Sequence, residues 1–191
     1  LKPGLIFEYF ARVARAQYRL ADVIGIQSPG NHSFFQEFDQ VKDRRVEVLN
    51  NWLAPLKRDK CQINFEETLL KGRRICVYAG NIGRAQGIDT VVSVAEALKD
   101  PPDIGFAFVG RGSEFLRIKK ILDTKNINNL LLFEEIPPEQ IYGLLKQCHV
   151  GLVALDRRHS SHNLPGKVLS YLQVGIPIFG VVNPENDLIL M

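Results

Sequence analysis

Methionine is nearly absent from this chain: the only one among its 191 residues is Met191, and the first residue is Leu1. A sequence that opens this way reads as a piece of a longer protein. Cysteine is scarce too, with Cys61, Cys76 and Cys148 alone. They are odd in number and lack paired metal spacing, which argues against a disulfide framework or a metal site and for reduced thiols in a cytosolic compartment. No apolar run approaches the roughly 18 residues that a membrane span needs, and no charged-then-apolar leader opens the chain. The formal charge of +3 suits an anionic small ligand or a membrane surface and is too weak to argue for nucleic acid. Neither the G-x-G-x-x-G of a dinucleotide fold nor a Walker G-K-[ST] occurs.

What is present is a globular composition. Hydrophobic residues make up 46% and charged ones 24%, enough for one sizeable core and unlike a disordered or fibrous chain. The organising stretch is Ile75-Cys-Val-Tyr-Ala-Gly-Asn-Ile-Gly-Arg-Ala-Gln-Gly87. A short β-branched and aromatic run empties into a loop with Gly80, Gly83 and Gly87, and Val91, Val92, Ala95 and Leu98 then recur at helical spacing. Such a strand, glycine loop and helix can bring backbone close to a phosphate at a helix N-terminus. It can equally be nothing more than a tight connection in an α/β domain.

Residues 5–20 predict an amphipathic helix with Arg12, Arg15 and Arg19 on one face. A solvated arginine face on a packed helix accounts for it more simply than an anionic membrane surface. Short strands are expected at 23–27 and 45–49, with a polar helix carrying Phe34, Phe35 and Phe38 between them. Residues 51–71, with Pro55 and Lys57-Arg-Asp-Lys60, carry no strong period and read as a linker. After it, strands at about 75–79, 104–109, 130–133, 150–154 and 176–181 alternate with helices at about 87–99, 113–125, 138–147 and 166–174. That pattern means βαβ units, a parallel sheet and ligand loops at the carboxyl ends of the strands, here 80–87, 110–113, 134–138 and 155–166.

The series Tyr78-Ala-Gly-Asn-Ile-Gly-Arg-Ala-Gln-Gly-Ile-Asp89, Phe108-Val-Gly-Arg-Gly112, Val150-Gly-Leu-Val153 and Leu164-Pro-Gly-Lys-Val-Leu-Ser-Tyr-Leu-Gln-Val-Gly-Ile-Pro177 resembles the C-terminal domain of family 4 retaining glycosyltransferases. Within that family it is most similar to the fucosamine transferase-like enzymes of bacterial surface polysaccharides. The resemblance implies an α/β fold, a Rossmann-like parallel sheet flanked by helices, forming the C-terminal half of a GT-B architecture. Residues 1–50 would be the last elements of an otherwise absent acceptor domain, and 72–191 the nucleotide-sugar-binding domain, cut short at its C-terminal end.

The implied chemistry is transfer of a hexosyl or N-acetylhexosaminyl unit, with retention, from a nucleotide-sugar, UDP-sugars first, to a glycan or lipid-linked acceptor in polysaccharide or lipopolysaccharide biosynthesis. The same architecture also serves a nucleotide-sugar epimerase, and a noncatalytic nucleotide-binding module stays open. No metal or other cofactor is implied, no nucleic-acid partner, and a cytoplasmic place at the inner face of the membrane, with peripheral membrane contact open for the longer protein. The chain departs from the family where Asn81 and Gln86 replace basic residues and where His162 and Ser170 stand for a pair of glutamates. A departing diphosphate needs cations and helix N–H groups, so Arg84 and Lys167 are expected to face it, with His162 at the sugar or a phosphate. Each of these three could instead be merely solvated. Gly80, Asn81, Gly83, Gln86, Gly110, Gly112, Glu135, Ile136, Asn163, Leu164, Pro165, Gly166 and Ser170 complete the implied donor site.

Phe7, Phe10, Phe34, Phe35 and Phe38 would lack cover without the rest of the acceptor domain, so self-association of this chain through them is expected. With most of the acceptor domain absent, the 191 residues alone should show no sugar transfer from UDP-sugars in a product assay. Transfer by the isolated chain would overturn the domain assignment; slow donor hydrolysis would not.

Overall fold

The computed structural model describes residues 4–36, 44–100, 103–156, 158 and 164–190. Packing divides the chain into two compact units, one of Leu1–Asn51, Ser161–Leu164 and Glu185–Met191, the other of Trp52–Ser160 and Pro165–Pro184.

The first unit holds helix α1 (Leu5–Leu20), strand β1 (Val23–Ile26), the short helix α2 (His32–Gln36) and strand β2 (Arg45–Val48). The two strands pair in parallel from Val23↔Arg45 to Ile26↔Val48. Strand alternation buries Ile24 and Ile26, against which Tyr18, Ala21, Phe35 and Val46 pack. This core is too small to cover α1, which has no buried residue. Phe7, Phe10 and Phe34 are exposed, while Phe35, expected to be bare, is half-buried against the strands; Phe38 lies outside the described residues. The Gly30 N–H donates to the Asp187 carboxylate at 2.7 Å, tying in the end of the chain.

The second unit contains β3 (Arg74–Ala79), α3 (Ile88–Ala97), β4 (Ile104–Val109), α4 (Phe115–Lys125), β5 (Leu130–Phe133), α5 (Ile141–Leu145), β6 (Val150–Ala154), α6 (Lys167–Val174) and β7 (Ile178–Val181). The strands form one sheet in the order β5-β4-β3-β6-β7, and every pairing is parallel. This is the Rossmann-like arrangement expected of the C-terminal half of a GT-B architecture. Tyr78, Phe106, Phe108 and Leu130 of the sheet, Ile88, Val91, Val92 and Ala95 of α3, and Ile118 and Leu122 of α4 make one buried cluster. The Tyr78 and Phe108 rings meet edge to face at 5.6 Å. The expected third helix is shorter than its periodicity implies: a 3₁₀ turn at Pro138–Gln140 runs into α5, which ends at Leu145.

Of residues 51–71, read as a linker, those from Trp52 onward belong to the second unit, where glutamine side chains hold them. Gln173 Oε1 accepts from the Leu56 N–H at 2.9 Å, Gln140 Oε1 from Gln62 at 2.8 Å and Gln147 Oε1 from Phe65 at 3.1 Å. Phe65 and Leu70 are buried. Cys61, Cys76 and Cys148 are free, and burial raises the pKa of each thiol.

The sheet reverses direction of growth between β3 and β6. All of β3 pairs with β4, but β3 and β6 share only Cys76↔Val150 and Val77↔Gly151. Beyond that the Tyr171 hydroxyl stands between them, accepting from the Ala79 N–H at 3.2 Å and lying 3.2 Å from the carbonyls of Val77 and Leu152, to one of which its hydrogen goes. Gly151 makes room for the ring, since a Cβ there would come within 2.4 Å of it. Tyr171→Phe would strand a buried N–H and should lower stability in urea unfolding by about 1–3 kcal/mol. Unchanged stability would mean that water replaces the hydroxyl.

Candidate functional site

The carboxyl ends of β3, β4, β5 and β6 deliver the loops that the sequence marks as candidates, and two of these interlock. The Gly80 N–H donates to Val109 at 2.9 Å, Ile82 to Arg111 at 2.7 Å, and Glu114 back to Ile82 at 3.0 Å. Gly110 and Gly112 make the approach possible: a Cβ on the first would sit 1.9 Å from the Gly80 carbonyl oxygen, and on the second 2.2 Å from that of Ile82. Their missing side chains therefore leave room for neighbouring backbone. Asn81 and Gln86, which stand where cations were expected, serve the same loop. Gln86 Oε1 accepts from the Gly83 N–H at 3.2 Å and the Asn81 amide at 3.3 Å, and Tyr78 donates to the Asn81 carbonyl at 2.8 Å. Burial, with Tyr171 nearby, raises the Tyr78 phenol, which stays a donor at neutral pH.

Lys167 begins α6, with the carbonyls of Pro165 and Gly166 accepting from Val168 and Leu169 in its opening turn. Its ammonium lies over the Tyr78 ring, 3.4 Å from the centroid, and its Cε would be 3.4 Å from a Cβ on Gly80. The first residue of α6 thus reaches the end of β3 across the opening between β3 and β6. Burial pulls the Lys167 pKa down to about 7, and the ring face below offsets this in part by favouring the charged form. A cation held half-desolvated at a helix N-terminus is placed to gain from an anion.

Arg84 behaves differently. Its side chain is 87% exposed, and its Nε lies 3.3 Å from Glu114 Oε1, a carboxylate that is only 11% exposed. The other oxygen of Glu114 accepts from Arg117, whose Nη2 also meets Asp89 Oδ1 at 2.8 Å. Arg117 first, and Arg84 second, hold the Glu114 carboxyl below its ordinary range against the opposing effect of desolvation. Glu135 pairs with Arg111 at 2.7 Å, joining the loops after β4 and β5. Ile136, the next residue, is buried as a whole. Ser170 is half-buried on α6, and Gly166 is exposed at the start of that helix. Leu164 belongs to the first unit, where its carbonyl accepts from Asn51 at 3.1 Å. His162 and Asn163 lie outside the described residues.

The second unit thus brings Gly80, Asn81, Gly83, Arg84, Gln86, Gly110 and Gly112 together, with Lys167 beside Gly80 and Glu135 joined to Arg111; Ile136, Pro165, Gly166 and Ser170 are carried on the same unit. Sequence reasoning missed Tyr78, Glu114 and Tyr171, which act through tertiary contacts. Only for Glu114 is there a sequence signal, an acid two residues after the second of two glycines, Gly110 and Gly112, at the start of a helix.

The Lys167 environment gives a pH signature in the ligand-free chain. Lysine titrates near 10.5 ordinarily and near 7 here, so between these values the unfolded chain binds more protons and stability rises with pH. Lys167→Met has no such proton. The stability of the wild type relative to Lys167→Met in urea should increase from pH 7 to pH 9, and a constant difference would refute a desolvated ammonium.

A family model described as "Glycosyl transferases group 1" matches residues 59–185. WcaI of Escherichia coli (strain K12), named as a colanic acid biosynthesis glycosyl transferase, is 31% identical over 145 residues, covering 76% of this chain and 32% of that protein. WbjE of Pseudomonas aeruginosa, named as a glycosyltransferase, is 28% identical over 195 residues, covering 98% of this chain and 47% of its own length. The chain thus spans between about a third and about half of these curated relatives. Among solved structures, TarM of S. aureus, in a complex that contains UDP, superposes with a TM-score of 0.68 at 12% identity, over 93% of this chain and 33% of TarM.

Proposed function

The chain belongs to the glycosyl transferases group 1 family, and from that premise we propose that it is the donor-binding part of a retaining glycosyltransferase. Its donor is a nucleotide-sugar, with UDP-sugars first, and the sugar passes to a glycan or lipid-linked acceptor in surface polysaccharide assembly. One observation carries this reading: the Lys167 ammonium over Tyr78, at the N-terminus of α6 and beside Gly80, in the crevice where parallel sheets of this kind take their ligands. The UDP in the TarM complex and the colanic acid name of WcaI support the choice of donor and pathway.

As the bond from the anomeric carbon to the diphosphate breaks, negative charge grows on the departing oxygens. Lys167, with the positive dipole end of α6 behind it, meets that charge from one side, and Arg84 meets it from the glycine loop. In this reading no metal ion is required. Glu135 and Ile136 flank the base, Ser170 serves the ribose hydroxyls, and His162 serves the sugar or a phosphate. The sugar is of hexosyl or N-acetylhexosaminyl type, and the protein works at the inner face of the membrane. Among the described residues no helix is long and apolar enough to cross that membrane.

The diphosphate should restore the charge on Lys167, so binding above pH 7 takes up a proton. Titration calorimetry with UDP should show affinity falling by up to about tenfold per pH unit between pH 7.5 and 9. Lys167→Ala should weaken UDP binding by on the order of tenfold or more at pH 7 and flatten that pH dependence, with uridine affected by neither. Equal UDP affinities for the wild type and Lys167→Ala would sink the proposal.

A further inference from the structure

Resting on the reading of Arg84 as a diphosphate-facing cation, we propose that Glu114 is a positioning residue: by engaging Nε of Arg84 it presents that guanidinium's terminal amino groups to the diphosphate.

Glu114 is anchored independently of Arg84. Its backbone N–H donates to Ile82 at 3.0 Å, which ties it to the loop carrying Arg84. One carboxylate oxygen is taken by Arg117, itself braced on Asp89 at 2.8 Å, and the side chain is nearly excluded from solvent. The other oxygen is left for Arg84 Nε, at 3.3 Å. A long, exposed arginine is thereby restrained at a position whose own loop provides no other described side-chain partner for it.

The residue type fits the task. A guanidinium has five N–H donors in a fixed fork, and a bond at Nε leaves those on the two terminal nitrogens for an anion. A lysine ammonium is a single compact charge that would sit either on Glu114 or on the diphosphate. The network of Arg84 and Arg117 with Glu114 and Asp89 is formally neutral, so Arg84 supplies directed donors, while Lys167, whose pKa is shifted by desolvation and not by a neighbouring carboxylate, supplies the unbalanced charge. Restraining the fork in advance removes part of the ordering cost from binding.

UDP titrations of the wild type, Arg84→Ala, Arg84→Lys, Glu114→Gln and the Glu114→Gln/Arg84→Ala double variant test this role, with uridine as the control. Glu114→Gln should weaken UDP binding by about three- to tenfold, leave uridine unaffected, and have no effect in the Arg84→Ala background. Arg84→Lys should bind UDP as poorly as Arg84→Ala. An equal loss from Glu114→Gln in both backgrounds would make Glu114 a structural support only, and wild-type affinity in Arg84→Lys would show that a point charge suffices. If Glu114→Gln does not fold, the exposed Arg84→Lys substitution decides alone. A wild-type chain that fails to bind UDP defeats the donor-site reading itself and this role with it.

Discussion

The candidate site exists because β3 and β6 separate after their second paired residue, and one hydroxyl holds the opening in shape. Tyr171 reaches from α6 into the gap and meets the backbone of both strands there. Unpaired peptide groups in a buried sheet are costly, so the split between the strands depends on this side chain. It also fixes α6 one turn from its N-terminus, and so determines where Lys167 begins. Gly151 on β6 is the complement, a position without a side chain where the ring needs the space.

The two cations near the strand ends are governed by different physics. Lys167 lies against an aromatic face with its charged form disfavoured by burial, whereas Arg84 extends into solvent and pairs with a buried acid. A desolvated lysine gains most when an anion arrives, because its charge is then balanced in a region of low dielectric. A solvated arginine gains little from charge alone and contributes mainly through the direction of its N–H groups. The chain thus combines a charge with a directed fork, while Asn81 and Gln86, where the family resemblance puts cations, stiffen the glycine loop.

The two units contrast in how far they bury their apolar surface. The second encloses a continuous cluster between the sheet and α3 and α4. The first buries little beyond Ile24 and Ile26, and leaves Leu5, Ile6, Phe7, Tyr9 and Phe10 of α1 exposed. An amphipathic helix is stabilised mainly by what its apolar face packs against, and the present chain spans under half the length of WbjE.

Period and punctuation in the sequence determined the alternating strands and helices of 74–181, the parallel sheet and the set of loops at its carboxyl ends, because 2.0- and 3.6-residue repeats are local properties of the chain. The motif series determined the family on the same local basis. Tertiary structure decided what those loops do internally. Gly110 and Gly112 make room for the backbone of another loop, Arg84 belongs to Glu114, and residues 52–71 are held by glutamines far along the chain. None of these has a period, since a hydrogen bond from a side chain to a distant peptide group leaves no trace in spacing. The lowered basicity of Lys167 is of the same kind: a lysine in the sequence is simply a cation, and only the packing of α6 over the end of β3 removes enough water to change it.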